Sequence, residues 1–195
     1  MRSLPQHAKE FCLAALIVIG LGSGASAQTQ VVAFGTSFTA GQGVGTSGAY
    51  PAVLEQALRA KGYNVTVSNQ GVSGDTAVGG AGRVSSSVPN GTALAIVEFG
   101  VNEILGKGDV ATIAPSIRTI ASNLRSRGIK TIFLATRPGA ARYMSGLGGP
   151  VVQIRLGGNR AENRDERTKH PSATGQAVAM QQMLPAVMAA LGKPK

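Results

Sequence analysis

The feature that most narrows the fold is an alternation. Between Val31 and Leu191, short apolar runs of strand length take turns with longer amphipathic stretches. Val31, Val32, Ala33 and Phe34 read as a strand covered on both faces, and Asn64–Ser68, Ala93–Phe99 and Lys130–Ala135 read as further strands. Between them, Tyr50–Ala60 carries Val53, Leu54, Ala57 and Leu58 at helical spacing, with Pro51 suited to a first turn and Gly62 to the exit. Asp109–Arg127 carries Ile113, Ile117, Ile120 and Leu124 on one face and is closed by Gly128. A last helix is expected from Ser172 to Leu191, with Pro185 a point for a kink. Strands that alternate with helices imply an α/β fold built on a parallel sheet, because parallel neighbours need a crossover between them.

The first 27 residues stand apart from this pattern. Arg2 and Lys9 precede an apolar core of 11 residues, Phe11 to Leu21, and Ala25-Ser26-Ala27 has the small-x-small form of a cleavage site. The core is shorter than the roughly 18 residues a membrane helix needs. The expected organisation is therefore a signal peptide over 1–27 and a single domain over 28–195, exported to the periplasm or secreted, with no transmembrane segment in the mature chain. Removing 27 of the 195 residues leaves 168, enough for one domain with a proper core. The one cysteine, Cys12, lies within the leader, so the mature domain is held by its core and not by disulfides. With His7 and His170 the only histidines and no ligand-spaced cluster, no metal is implied.

The chain has 19 Lys and Arg against 9 Asp and Glu, a formal charge of +10. Arg137, Arg142, Arg155, Arg160, Arg164, Arg167 and Lys169 face only Glu162, Asp165 and Glu166 in the same stretch. Without interleaved aromatics or a binding module, this segment argues against nucleic acid and for a solvated basic face, suited to anionic lipid or polysaccharide. Gly43-Val44-Gly45-Thr46-Ser47-Gly48 fits G-x-G-x-x-G. Eight residues separate it from the strand's Phe34, and no acidic residue follows about 20 positions on, so a dinucleotide site is not expected.

Three strand ends carry polar or glycine-rich clusters: Ser37 after Gly35-Thr36, the stretch Asn69–Thr76, and Asn102. In open α/β sheets, ligands bind at the carboxyl ends of the strands. Acyl transfer needs a nucleophile, a base and hydrogen-bond donors for the developing oxyanion. Ser37, His170, Gly74 and Asn102 together supply that inventory.

These residues sit in blocks that resemble the SGNH or GDSL hydrolases, near the arylesterase, thioesterase I and lysophospholipase group. FGTSFTAG is similar to the first block, NQGVSGDT to the second, GVNE to the third and HPSATG to the last. The resemblance spans residues 31–191 and implies a three-layer α/β/α sandwich with a flavodoxin-like sheet. It also implies ester or thioester hydrolysis through an acyl-enzyme on Ser37, with His170 as base. Ser37 N–H, Gly74 N–H and the Asn102 amide would form the oxyanion hole, and the substrate would be a small-molecule acyl ester or thioester, with no cofactor.

The departures bear on mechanism. Three residues before the histidine the family has aspartate, and this chain has Arg167, which cannot accept an imidazole N–H. Asp165 or Glu166 is left to orient His170, with Asp165 preferred. The alternative is a catalytically impaired domain that binds acyl or carbohydrate ligands. Thr36 and Glu103 also replace family aspartates, and the segment from Ala135 to Arg167, where the family places another helix and strand, is short and rich in glycine and arginine, with VVQIRL (151–156) as the candidate for the remaining strand.

Overall fold

A computed structural model describes residues 27–156 and 161–194. The segment read as a signal peptide, apart from Ala27, and Arg160 of the basic stretch lie outside the described residues.

Five parallel strands form one sheet: β1 (Thr29–Gly35), β2 (Val65–Gly71), β3 (Leu94–Glu98), β4 (Lys130–Ala135) and β5 (Val151–Gln153), in the order β2-β1-β3-β4-β5. The helices are α1 (Ser37–Ala40), α2 (Gly45–Gly48), α3 (Tyr50–Ala60), α4 (Ala77–Ser87), α5 (Val101–Ile104), α6 (Ile113–Ser126) and α7 (Ala173–Leu191). The expected α/β/α sandwich is the observed one. Because strand side chains alternate, the two faces of one strand feed two cores. Val32, Phe34, Val97 and Phe133 pack with Ile113, Ile117, Ile120 and Leu124 of α6. Val31, Ala33, Ile96 and Leu134 pack on the other face with Leu54 and Leu58 of α3 and Met183 and Val187 of α7. Each of these side chains larger than alanine contributes about 1.5–3 kcal/mol on burial, so both layers are firmly held to the sheet.

The expected helix at 109–127 divides at its start. Asp109 accepts from Ala111 N–H and caps a 3-10 turn over Val110–Thr112, and α6 follows. β5 takes only the first half of the 151–156 run, and a 3-10 turn at Ala140–Tyr143 lies where the family places a helix. α7 continues through Pro185.

The helix that composition conceals is α4, AVGGAGRVSSS. Glycine and serine are poor helix formers, yet Thr76 accepts from Gly79 N–H at 3.2 Å and Glu103 accepts from Ala77 N–H at 2.6 Å, so two otherwise unpaired donors at the start are satisfied. Gly80 lets the Phe99 ring approach. A Cβ there would lie 2.5 Å from the ring. Gly80→Ala gains up to about 1 kcal/mol in helix propensity but overpacks the core by about 1–3 kcal/mol. A net loss of about 1 kcal/mol is expected in urea denaturation, and a stabilised variant would contradict this packing.

The order places a topological switch at β1, whose neighbours β2 and β3 leave in opposite directions. The crevice above β1 and β3 is where such sheets bind ligands.

Candidate active site

Ser37 emerges at that crevice. β1 ends at Gly35, and Thr36 and Ser37 turn the chain into α1. The turn is held from below by Glu98, the last residue of β3 and fully buried. Its carboxyl accepts from Thr36 N–H at 3.0 Å, from Thr36 Oγ1 at 2.9 Å and from Thr39 Oγ1 at 3.2 Å. Burial drives the Glu98 pKa up to about 7, and the donated hydrogen bonds from Thr36, Thr39 and Thr136 limit the rise. Thr36, in place of the family's aspartate, thus brings two donors to a buried acid. Gln176 of α7 holds α1 from the other side, accepting from Tyr50 N–H at 3.0 Å and donating to the Phe38 carbonyl at 3.2 Å.

His170 comes from the loop before α7. Its Nε2 lies 2.9 Å from Ser37 Oγ, and its Nδ1 lies 2.8 Å from the carbonyl oxygen of Thr168. A carbonyl only accepts, so Nδ1 carries the proton and Nε2 presents its lone pair to the Ser37 hydroxyl. That is the tautomer able to take a serine proton. Lys169 between them is the non-glycine residue with positive φ, at 59°, among the described residues, and this left-handed turn folds the Thr168 carbonyl back onto the ring.

The orienting position at Nδ1 is therefore filled by main chain. Asp165, preferred in the sequence for that role, makes a different contact: its carboxylate accepts from Thr168 N–H at 2.7 Å. The Thr168 hydroxyl and then its N–H, with help from the Arg167 charge, hold the Asp165 pKa below the usual value. Its own backbone N–H donates to the His170 carbonyl at 2.8 Å, and its carbonyl accepts from Lys169 N–H at 2.8 Å. Asp165 fixes the turn that carries Thr168, one step removed from the ring. Glu166 and Arg167 are exposed. Gly43, from the G-x-G-x-x-G segment, packs on the same turn, where a Cβ would come within 2.9 Å of Thr168 Oγ1.

If the carbonyl orients His170, Asp165→Ala lowers kcat/KM by only about tenfold, the worth of one hydrogen bond to a charged group, because the two backbone bonds of the turn persist. A fall near 10⁴, the scale for losing a carboxylate bonded to the ring, would instead place Asp165 on His170 during turnover.

The other two predicted residues lie on a loop and on a short helix. Gly74, with φ of 83°, turns the chain after β2, and no atom beyond its chain neighbours lies within 4 Å of where its Cβ would be. Asn102, in α5 and nearly buried, donates one amide hydrogen to the Asp75 carbonyl at 2.6 Å. Its second amide hydrogen remains for the cavity that Asn102 lines together with Ser37 and His170, of about 220 Å³. Gly74 does not line this cavity; it precedes Asp75, whose carbonyl takes the Asn102 amide.

Arg83 of α4 fastens this corner. It donates to the Asp75 carboxylate at 2.7 Å, to the Gln70 carbonyl at 3.0 Å and to the Gly35 carbonyl at 3.0 Å, while its guanidinium stacks 4.5 Å above the Phe34 ring. Sequence reasoning missed Arg83, Glu98 and Thr168. The one legible signal was a carboxylate at the end of an otherwise apolar strand, LAIVE, which implies a buried acid with donors around it.

The sequence model of the GDSL-like lipase/acylhydrolase family matches residues 33–179. The chain belongs to this family. Esterase TesA of Pseudomonas aeruginosa is 33% identical over 124 residues, 63% of this chain and 60% of that protein. An arylesterase of Vibrio mimicus is 25% identical over 126 residues, 64% of this chain and 63% of that protein. The alignments thus span less than two thirds of either relative. Among solved structures, a TesA crystal structure superposes with a TM-score of 0.72 at 23% identity, covering 83% of this chain and 99% of that one. AlinE4, an SGNH-hydrolase family esterase, gives 0.66 at 28% identity, covering 86% and 98%. The GDSL-like match runs through β1 to α7, so it takes in Ser37, Gly74, Asn102 and His170.

Proposed function

We propose that the protein is an exported serine esterase or thioesterase, arylesterase- or lysophospholipase-like, that hydrolyses acyl esters through an acyl-enzyme on Ser37. The observation that carries this reading is the 2.9 Å contact between His170 Nε2 and Ser37 Oγ, with the ring proton accounted for at Thr168. In the proposed reaction Ser37 Oγ attacks the ester carbonyl as His170 takes its proton. The oxyanion is held by the Ser37 and Gly74 N–H groups and the Asn102 amide. The tetrahedral intermediate then collapses, and His170 returns the proton to the leaving alcohol or thiol. Water, deprotonated by the same imidazole, releases the acid. The Thr168 carbonyl orients the ring in place of a triad carboxylate but adds no full negative charge beside the imidazolium, which favours a modest turnover. Membership of an esterase and acylhydrolase family supports the ester substrate class. Export rests on the composition of residues 1–27.

The test is twofold. The purified protein is expected to hydrolyse short-chain p-nitrophenyl esters, and a fluorophosphonate is expected to label it once per chain, at Ser37 by peptide mapping. Labelling without turnover would support the impaired, ligand-binding reading that Arg167 suggested. Neither labelling nor turnover would sink the acyl-enzyme reading.

A further inference from the structure

The basic stretch noticed in the sequence acquires a place in the fold. The cavity above Ser37 has an apolar side that includes Leu105 and Ile154, and its mouth carries Lys107, Arg137, Arg164 and Lys169. These cations come from three separate chain segments: the loop after α5, the end of β4 and the histidine loop. No aspartate or glutamate among the described residues lines the cavity. The Arg59–Glu55 and Arg83–Asp75 ion pairs involve none of the four. Arg164 is braced by donating to the Lys169 carbonyl at 3.1 Å, next to His170. Lys107 and Lys169 are exposed, and Arg137 is half-buried.

We infer that this cationic mouth selects esters that carry an anionic group close to the scissile bond, on either the acyl or the alcohol side. The inference rests on the ester-hydrolysis reading above and adds a substrate class to it. A basic patch spread over a convex surface is merely solvated. Cations around a cavity with low-dielectric walls focus their field into it and raise the local concentration of anions. An anionic group within a few ångströms of the reacting carbonyl lies inside the Debye length of about 8 Å at physiological salt, so it feels the mouth whenever the ester is seated. A neutral ester has the same apolar side and the same Ser37 but no such attraction. Cationic esters are disfavoured by the same field.

Two matched pairs test the inference and separate its two forms. Mono-p-nitrophenyl succinate against p-nitrophenyl butyrate places the charge on the acyl side. 4-Acetoxybenzoate against its methyl ester places it on the alcohol side. In at least one pair, kcat/KM is expected to favour the anion by about tenfold at low salt, with the preference shrinking severalfold in 0.5 M sodium chloride. The paired substitution Lys107→Gln with Arg137→Gln is expected to bring that ratio towards one. Ratios within threefold of unity at low salt in both pairs, or a ratio unmoved by the paired substitution, would overturn the inference while leaving the esterase intact. If no ester is turned over, the esterase reading fails, and the mouth is then read by calorimetric binding of mono-p-nitrophenyl succinate and p-nitrophenyl butyrate to the Ser37→Ala protein. Binding of the succinate at least about tenfold tighter and weakened by salt supports the inference, and equal affinity overturns it.

Discussion

Ser37→Ala is expected to lower kcat for a p-nitrophenyl ester by about 10⁴ or more while leaving the thermal midpoint nearly unchanged. The size follows from the proposed role: without Oγ there is no acyl-enzyme, and what remains is the oxyanion donors and binding, which alone give a small residual rate. The small effect on stability follows from the surroundings. The Ser37 side chain hydrogen-bonds to His170, whose half-buried ring keeps its Nδ1 bond to Thr168. His170→Ala is expected to cost nearly as much as Ser37→Ala. The double variant should be no worse than either single one, because a nucleophile and its base act as a unit and their losses do not add. Additive losses in the double variant would show that Ser37 and His170 act independently and would count against the proposed mechanism. Retained turnover in Ser37→Ala would move the chemistry elsewhere.

What was legible in the sequence and what was not divides along physical lines. The strands and the helices α3, α6 and α7 announce themselves because each must present an apolar face at a fixed period, and the bounds of α3 and β4 fall at Tyr50–Ala60 and Lys130–Ala135 as read. Helix α4 does not, since its buried face is Ala77, Gly80 and Val84, and the small residues that allow close packing on Phe99 erase the periodic signal. Ser37, Asn102 and His170 were legible because side chains with specific chemistry recur in recognisable blocks, and the fold lines one cavity with all three. The partner of the His170 Nδ1 was not. A sequence search for an acid considers carboxylates, and Asp165 was the available one. The group that fills the position is the main-chain oxygen of Thr168, which every residue type possesses and no motif encodes. Only the left-handed turn at Lys169 and the Asp165 bond to Thr168 N–H reveal it.

Glu98 carries the second large effect, and it is one of pH. Its carboxyl is fully buried beneath the Ser37 turn and has its pKa raised by desolvation from 4.5 to about 7. The folded protein therefore holds this proton over a range in which the unfolded chain has lost it. Stability falls with pH wherever the native state binds more protons, so the contribution of Glu98 is fully present below pH 4.5 and is lost as pH rises through about 7. The span of about two and a half pKa units corresponds to about 3 kcal/mol. Titration of Asp165, whose pKa is lowered, lies at the acid end and runs the opposite way, so the two are separable. Tyr50, whose hydroxyl lies 3.5 Å from Thr39 Oγ1 in the same cluster, has its pKa pushed up by burial and stays neutral throughout. Glu98→Gln keeps the shape and an acceptor for Thr36 N–H but removes the titration. The difference in unfolding free energy between the wild type and Glu98→Gln is expected to drift by about 3 kcal/mol in favour of the variant between pH 4.5 and 7, read by urea denaturation at fixed ionic strength. A flat difference across that interval would mean that the carboxyl titrates as in solvent. The same charge has a catalytic consequence: ionisation of Glu98 tightens its hold on Thr36 N–H and Oγ1, one residue from the Ser37 N–H that faces the oxyanion in the proposed mechanism. The kcat/KM profiles of the wild type and Glu98→Gln should accordingly diverge near pH 7, and superimposable profiles would show that this ionisation does not reach the site.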